Sequence, residues 1–276
     1  MINKDEKVIK EFGDEWTKFD HSSLDKVKLQ ESFNQYFSIF PWDKLPQGAV
    51  GFDMGCGTGR WAQYAATNPR VKLLNCIEPS EAIHVAKKNL ISFKNVKFLK
   101  ETTENCSLSR NSQDFGYCLG VLHHIPDTQR ALHDCIKLLK SGAPILLYLY
   151  YNFDNKPLWF RSIWKLSDYI RRFISISPKP IKHFMCAVIA LLIYYPLSRF
   201  AFILEKLGLN AENMPLSDYR NKPFYLCRND ALDRFGTRLE QRFTKIQISN
   251  MLAQAGCENI NFSPRTPFWC CVAFKK

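Results

Sequence analysis

Asp53, Glu78 and the adjacent pair His123 and His124 are the side chains whose types and spacing suggest chemistry. Asp53 closes an apolar run that begins at Ala49, and Met54-Gly55-Cys56-Gly57-Thr58-Gly59-Arg60-Trp61 follows it. Glycines at 55, 57 and 59 allow a sharp turn and remove the Cβ atoms that would hold a ligand off the main chain. A helix after that turn points its free N–H groups at whatever lies above. The third glycine of a dinucleotide fingerprint would fall at position 60, which is Arg60, and no Gly-Lys-Ser/Thr follows. Pyrophosphate and triphosphate readings are therefore set aside. An acid ahead of the turn repels phosphate and suits a ligand carrying a cationic amine and a sulfonium. Nineteen residues past Gly59 a second apolar run, 71–77, ends at Glu78. A carboxylate there can accept both hydroxyls of a ribose. His123 and His124 sit in Leu122-His123-His124-Ile125-Pro126-Asp127, directly after a third run at 115–121. A histidine at the ligand end of a sheet can take a proton from a hydroxyl or amine, its ordinary pKa lying near neutrality. With two side by side, one base and one structural ring are expected, and spacing does not say which.

These residues need a frame. From 49 to 151 the pattern alternates strand and helix, with strands expected at 49–53, 71–77, 96–100, 115–121 and 145–150. A helix over 241–255 and strands at 259–262 and 268–274 complete the set. The expected fold is α/β: a seven-stranded, doubly wound, mostly parallel sheet with an antiparallel last strand. Residues 1–48 read as an N-terminal helical lid, 49–151 as the core, 152–240 as a helical insertion after strand five, and 241–276 as the completion of the core. Ser80 is a natural N-cap for a helix running to Leu90. The net charge of +12 calls for an anionic partner: nucleic acid, an anionic membrane surface or an acidic substrate. Ten cysteines occur with no Cys-x-x-Cys and no zinc-type spacing, so no metal is expected. The first residues lack the apolar core of a secretory signal, and reduced thiols in a cytoplasm are the simplest account.

Taken together, Asp53 to Gly59 with Glu78 resemble motif I and the following acidic position of the class I S-adenosylmethionine (SAM)-dependent methyltransferases. Leu122 to Asp127 resembles the L-H-H-[ILV]-x-D run of the small-molecule members, and Leu138-Leu139-Lys140-Ser141-Gly142-Ala143 resembles their L-K-P-G-G turn. Phe12-Gly13-Asp14-Glu15-Trp16 looks like the F-G-x-[EQ]-W lid of that class. Its aromatic residues Phe12, Trp16 and Phe19 equally suit a face packed on the core. The resemblance implies a Rossmann-like fold and SAM as cofactor. Asp53, Gly55, Cys56, Gly57, Gly59 and Arg60 would hold the amino-acid end, with Trp16 closing over it. Glu78, Pro79 and Ser80 would take the ribose, Leu119 and Gly120 would flank the site, and Thr102 and Thr103 would meet the adenine edge. The family's usual Asp at that last place is Thr102 here. The run 231–243 is similar to a bacterial branch of these enzymes without an assigned acceptor, and no catalytic role is carried over from it.

The function expected is methyl transfer to an oxygen or nitrogen of a small-molecule, glycan or lipid-linked acceptor. Alternatives are a prenylquinone-like lipid C-methyltransferase, a nucleic-acid methyltransferase and a non-catalytic SAM-binding subunit. N-P-P-[YF] and a Pro-Cys nucleophile are both missing, which disfavours a nucleic-acid base. Tyr151, Tyr219 and Arg220 are candidates for acceptor binding.

The insertion has two readings. Trp159, Phe160, Ile163, Trp164, Ile170, Phe173 and Ile174 share one helical face, and Arg161, Lys165, Asp168, Arg171 and Arg172 the other. Residues 184–197 carry no charge, but Pro196 and Arg199 interrupt the run before the ~20 residues needed to span a bilayer. A cap walling off the site is preferred, since the glycine turn needs a wall that excludes water. It would bury Trp159, Trp164 and 184–197. The second reading is peripheral membrane contact through 156–206, with those residues exposed and rimmed by Arg161, Lys165, Arg171 and Arg172.

Overall fold

Five short apolar runs form the parallel part of one sheet in a computed structural model that describes residues 3–18, 26–211 and 214–276. They are β1 (Ala49–Met54), β2 (Val71–Ile77), β3 (Val96–Leu99), β4 (Phe115–Leu119) and β5 (Pro144–Tyr148). With β6 (Cys257–Phe262) and β7 (Cys271–Lys275) they make a seven-stranded sheet in the order β3-β2-β1-β4-β5-β7-β6. β7 runs antiparallel to both its neighbours, as the sequence pattern predicts. Neighbouring side chains along each strand serve different layers. Phe115, Tyr117 and Leu119 join one core with the helix residues Ala62, Ile83 and Ala86. Cys118, Ile145 and Leu147 join the other with Leu132, Ile136, Ile248 and Leu252. The order reverses between β1 and β4, so the loops after these two strands diverge and leave a crevice at their carboxyl ends.

At that reversal two glycines and two phenylalanines interlock. Gly51 pairs with Phe115 and Phe52 with Gly116 across β1 and β4. A Cβ on Gly51 would come within 2.3 Å of the Phe115 ring, and one on Gly116 within 2.2 Å of the Phe52 ring. Overpacking of this kind costs ~1–3 kcal/mol or more. Gly51→Ala and Gly116→Ala are each expected to lower unfolding free energy by at least that amount in denaturant titration. A loss below ~0.5 kcal/mol would show that the rings move aside.

Two stretches start later than the pattern suggests. The helix expected from Gln241 is α10 (Lys245–Gln254), numbered here in chain order. Thr244 and Gln247 form a capping box at its start. Residues 241–243 are instead drawn into extended pairing, with Gln241 N–H donating to His123 O and Phe243 N–H to Tyr150 O. The helix α4 (Ala82–Asn89) has Glu81 rather than Ser80 as its N-cap, although the Ser80 hydroxyl accepts from Ala82 N–H.

Residues 3–152 and 239–276 make one compact unit, which includes α1 (Glu6–Lys18), α2 (Lys26–Phe37), α3 (Ala62–Ala65) and α5 (Thr128–Ile136). Phe33 and Phe37 of α2 stack on each other and on Trp42, which seals the outer end of the first core. Phe19 lies outside the described residues.

Residues 153–238 make the second unit: α6 (Leu158–Ser175), α7 (Lys179–Ile189), a π-helical turn (Ala190–Tyr194), α8 (Tyr195–Lys206) and α9 (Phe224–Gly236). Its inside mixes apolar side chains such as Ile174, Tyr194, Leu232 and Phe235 with buried polar and charged ones. Asp168 on α6 receives Arg171 at 2.6 Å and Arg172 at 3.0 Å, and the Arg234 guanidinium of α9 lies at 3.7 Å. Arg171 also donates to Thr237 O. Arg171 is therefore buried and is not part of a basic rim, contrary to its expected place. The burial expected of a cap is not seen either: Trp159, Phe184, Leu191 and Leu192 are exposed, and Trp164 is half-buried. Nor do Pro196 and Arg199 interrupt the apolar run. The helix is continuous over Lys179–Lys206, 28 residues, and is long and apolar enough to cross a membrane. The π-turn just before Pro196 widens the helix where the proline ring would strike the preceding turn. Arg199 turns its Nη2 to the carbonyls of Tyr219, Arg220 and Lys222.

Candidate functional site

The glycine turn lies at the carboxyl end of β1 with its Cβ-free faces against close neighbours. Gly55, Gly57 and Gly59 all have φ between +54° and +79°, which side-chain-bearing residues rarely adopt. A Cβ on Gly55 would meet Val121 at 2.4 Å, so the turn abuts the loop that carries the two histidines. Above Gly57 the nearest group is the Trp16 indole of α1, 3.8 Å from the position a Cβ would take. The Arg60 guanidinium lies 5.4 Å from the Trp16 ring and 4.6 Å from that of Trp61.

Four amide groups of this turn are already engaged. Gly55 and Cys56 N–H both donate to Ile77 O, Gly59 N–H to Cys56 O, and Gly57 N–H to Glu78 Oε2 at 3.1 Å. The following helix α3 has four residues and begins only at Ala62. At these four positions the turn offers close approach rather than the free amides expected from the sequence. Glu78 is buried and straps the site together, since its Oε1 accepts from Ser80 N–H at 3.0 Å. A carboxylate has about four lone-pair positions, so room for further donors remains.

Asp53 is buried at the end of β1, and its Oδ2 has no partner among the described residues. Burial pushes its carboxyl up to about 8, against the opposing pull of the Tyr117 hydroxyl. The Glu78 carboxylate raises it further and the Arg60 guanidinium lowers it. Further along the crevice a cleft of about 660 Å³ is lined by Gly13 and Asp14 of α1 together with Pro79, Ser80, Glu81 and Thr102. Thr102 Oγ1 accepts from Asn105 N–H at 3.3 Å, while the buried Thr103 Oγ1 has no partner among the described residues. Leu119 is buried, and Gly120 N–H donates to Tyr148 O as the chain leaves β4.

Hydrogen bonding separates the two histidines. His124 Nδ1 lies 2.7 Å from Leu239 O. A carbonyl can only accept, so Nδ1 carries the proton and Nε2 presents a lone pair. His123 Nδ1 faces Tyr150 N–H at 3.4 Å and must accept, which places the proton of the neutral ring on its Nε2. Neither buried Nε2 has a protein partner among the described residues. His123 is wholly buried and stacked on Tyr150 at 3.8 Å. Burial holds its pKa well below the ordinary value, with His124 and the Arg242 guanidinium adding to the effect. Phe12 of α1 covers His124 at a ring distance of 4.7 Å.

Several contributors carry no signal in the sequence pattern. Leu239 acts through its carbonyl. Gln241 pins the histidine loop by donating to Ile125 O at 2.8 Å and Thr128 Oγ1 at 3.1 Å. Arg242 pairs with Glu240 at 2.7 Å, donates to Tyr151 O and lies over the Tyr150 ring. Asn3 anchors α1 by exchanging two bonds with the Asp127 backbone, at 2.8 and 2.9 Å, and donating its N–H to Glu104. Of the acceptor candidates, Tyr151 belongs to this unit and packs near Phe268 and Trp269. Tyr219 and Arg220 belong to the second unit, where Tyr219 packs on Tyr194 and Arg220 bonds Glu205 at 2.9 Å. Among the described residues no group of three or more His, Cys, Asp or Glu side chains could hold a metal ion. All ten cysteines are free.

Residues 52–147 match the family model described as a methyltransferase domain. The chain is 27% identical over 140 residues to a ubiquinone biosynthesis O-methyltransferase of Salmonella enteritidis PT4, covering 50% of this chain and 56% of that one. It thus spans about half the length of the curated relatives it matches. Among solved structures it resembles a Bacillus halodurans C-125 protein named for methyltransferases, with TM-score 0.51, 14% identity and coverage of 84% and 70%. It also resembles the S-adenosylmethionine-dependent methyltransferase SibL in its apo form, with TM-score 0.53, 10% identity and coverage of 89% and 55%. At these identities the two structures show a shared fold.

Proposed function

We propose, from the match of residues 52–147 to a methyltransferase domain, that the protein transfers a methyl group from SAM to a hydroxyl oxygen of a small-molecule, glycan or lipid-linked acceptor. The observation that carries this reading is the lone pair of His124 Nε2, held by the bond from Nδ1 to Leu239 O. Its loop is packed against the glycine turn. The name of the Salmonella relative, an O-methyltransferase, supports the same choice of atom.

SAM suits the groups present. Its ammonium matches the unpartnered Asp53 Oδ2, and an adenine edge can bond the unpartnered Thr103 hydroxyl. SAM supplies a methyl group on a sulfonium, already a good leaving group. The protein's share is alignment of the acceptor oxygen and exclusion of water. His124 Nε2 would receive the hydroxyl proton while the methyl carbon–sulfur bond breaks and the carbon–oxygen bond forms, leaving a neutral thioether. His123, neutral and wholly buried, backs the Tyr150 ring and holds the loop. Incubation with labelled SAM and a panel of phenols, sugars and isoprenoid phenols tests the reading by mass spectrometry. O-methyl product supports it; methylation only at carbon or nitrogen overturns it.

The raised Asp53 carboxyl makes cofactor binding pH-dependent. Pairing with the ammonium of SAM needs the ionised form, so below about 8 each binding event releases a proton. Affinity is expected to rise with pH up to about 8 and then level off. Titration calorimetry at pH 7 in buffers of different ionisation enthalpy should show roughly one proton released. Asp53→Asn should release none. Without ligand the sign is opposite: the folded chain keeps a proton that the unfolded chain loses above about 4. This group's contribution to stability is complete at low pH and lost as pH rises through 8.

A further inference from the structure

The second unit buries charged side chains such as Arg171 and Lys182 while leaving many large apolar ones outside. Along α6 the buried positions are Arg171, Ile174 and Ser175, with Ser167 and Asp168 half-buried, whereas Trp159, Ile163, Leu166, Ile170 and Phe173 are exposed. Those five recur at intervals of four and three, which places them in one stripe along the helix. Phe173 is 66% exposed and Arg171 only 5%. The helix over Lys179–Lys206 repeats the arrangement. It buries Lys182, Cys186, Ala190, Ser198 and Ala201, and exposes Ile181, Phe184, Leu191, Leu192 and Ile203. α6 and α7 both pack on α9. An apolar surface of this extent is rare on a protein that meets only water.

We infer that the exposed faces of α6 and of Lys179–Lys206 lie in the interface of an anionic lipid bilayer, parallel to its surface. Arg161, Lys165 and Arg172 follow one another at intervals of four and seven and border one edge of the α6 stripe. That is the arrangement in which apolar side chains enter the acyl boundary while cations reach lipid phosphates. Trp159 and Tyr169 add the amphipathic rings favoured at that depth. Charge selects lipid over a second copy of the chain. Asp168 is the sole acid between Lys156 and Leu204, and it is shared between the buried Arg171 and the exposed Arg172, so the α6 cations outnumber it. A second copy would bring its own cations to this edge, whereas an anionic bilayer supplies the missing counter-charge. Crossing the bilayer is disfavoured because α9, packed against the same helix, carries Arg228, Asp230, Asp233 and Arg234.

Flotation of the full chain with vesicles tests this. Co-flotation is expected with phosphatidylglycerol–phosphatidylcholine vesicles, weakening in 0.5 M salt, and much less with phosphatidylcholine alone. Lys165→Glu with Arg172→Glu should lower partitioning at least ~25-fold, each cation near an anionic surface contributing about fivefold. Leu166→Ser with Phe173→Ser should lower it similarly. Both pairs alter exposed side chains, so SAM binding and circular dichroism should stay unchanged and exclude misfolding. Brominated acyl chains should quench tryptophan fluorescence in the parent and not in Trp159→Phe. Failure to float with anionic vesicles overturns the inference. So does a self-association that the serine pair abolishes without any flotation.

Discussion

His124→Ala is expected to lower methyl transfer by ~10²–10⁴-fold while SAM affinity stays within about twofold, because the proposed general base acts on the acceptor and not on the cofactor. The proposed base is His124, on the hydrogen bonds of the two rings. Nδ1 of His124 is committed to Leu239 O, so Nε2 is the acceptor of a proton, whereas Nδ1 of His123 is spent on Tyr150 N–H. His123→Gln should therefore show a different profile: a lower denaturation midpoint, because a buried stack on Tyr150 is disturbed, with a smaller loss in turnover. Single-turnover kinetics with the acceptor, alongside calorimetric titration of SAM, separates the two. Equal and small rate losses in both variants would remove base catalysis by histidine.

Glu78→Ala is expected to have the largest effect on the cofactor. The carboxylate accepts from Gly57 and Ser80 N–H, and the ribose hydroxyls are expected to share it. Hydrogen bonds to a charged acceptor contribute ~1.5–3 kcal/mol each, and leaving the buried Ser80 N–H unpaired costs a further ~1–3 kcal/mol. Binding of SAM should weaken by ~10²-fold or more, and the ligand-free protein should also unfold at lower denaturant. Glu78→Gln separates the two roles, since one amide oxygen can still hold one strap. Stability should recover in part and affinity should not. Wild-type affinity in Glu78→Ala would place the ribose elsewhere.

The sheet was legible because each strand is an apolar run bounded by turn residues, and the turn after Asp53 because its three glycines have no other use. The different hydrogen bonding of His123 and His124 was not legible, because it depends on a backbone carbonyl at Leu239, over a hundred residues away. Asn3 was unreadable for the same reason: it acts on the backbone of Asp127 through contacts with no local pattern. The start of α10 was misplaced because helix periodicity continues through Gln241 to Phe243. Those residues instead pair with the ends of the histidine loop and β5, a tertiary choice that propensity does not record. In the insertion the periodicity of α6 was visible, but a helical wheel shows which residues share a face and not which face is buried.

The interlock of Gly51 with Phe115 and of Phe52 with Gly116 constrains how this protein can drift over generations. A side chain gained at either glycine is blocked while its opposing ring remains, and a ring lost first leaves a cavity costing ~3–5 kcal/mol. Neither member of a pair can change alone at low cost, so exchange would have to pass through a weakened intermediate. Among close descendants of this chain, positions 51 and 115 should therefore change together or not at all, as should 52 and 116. The strand ends that carry Asp53 and the histidine loop would inherit that fixity, while the loops beyond them remained free to vary.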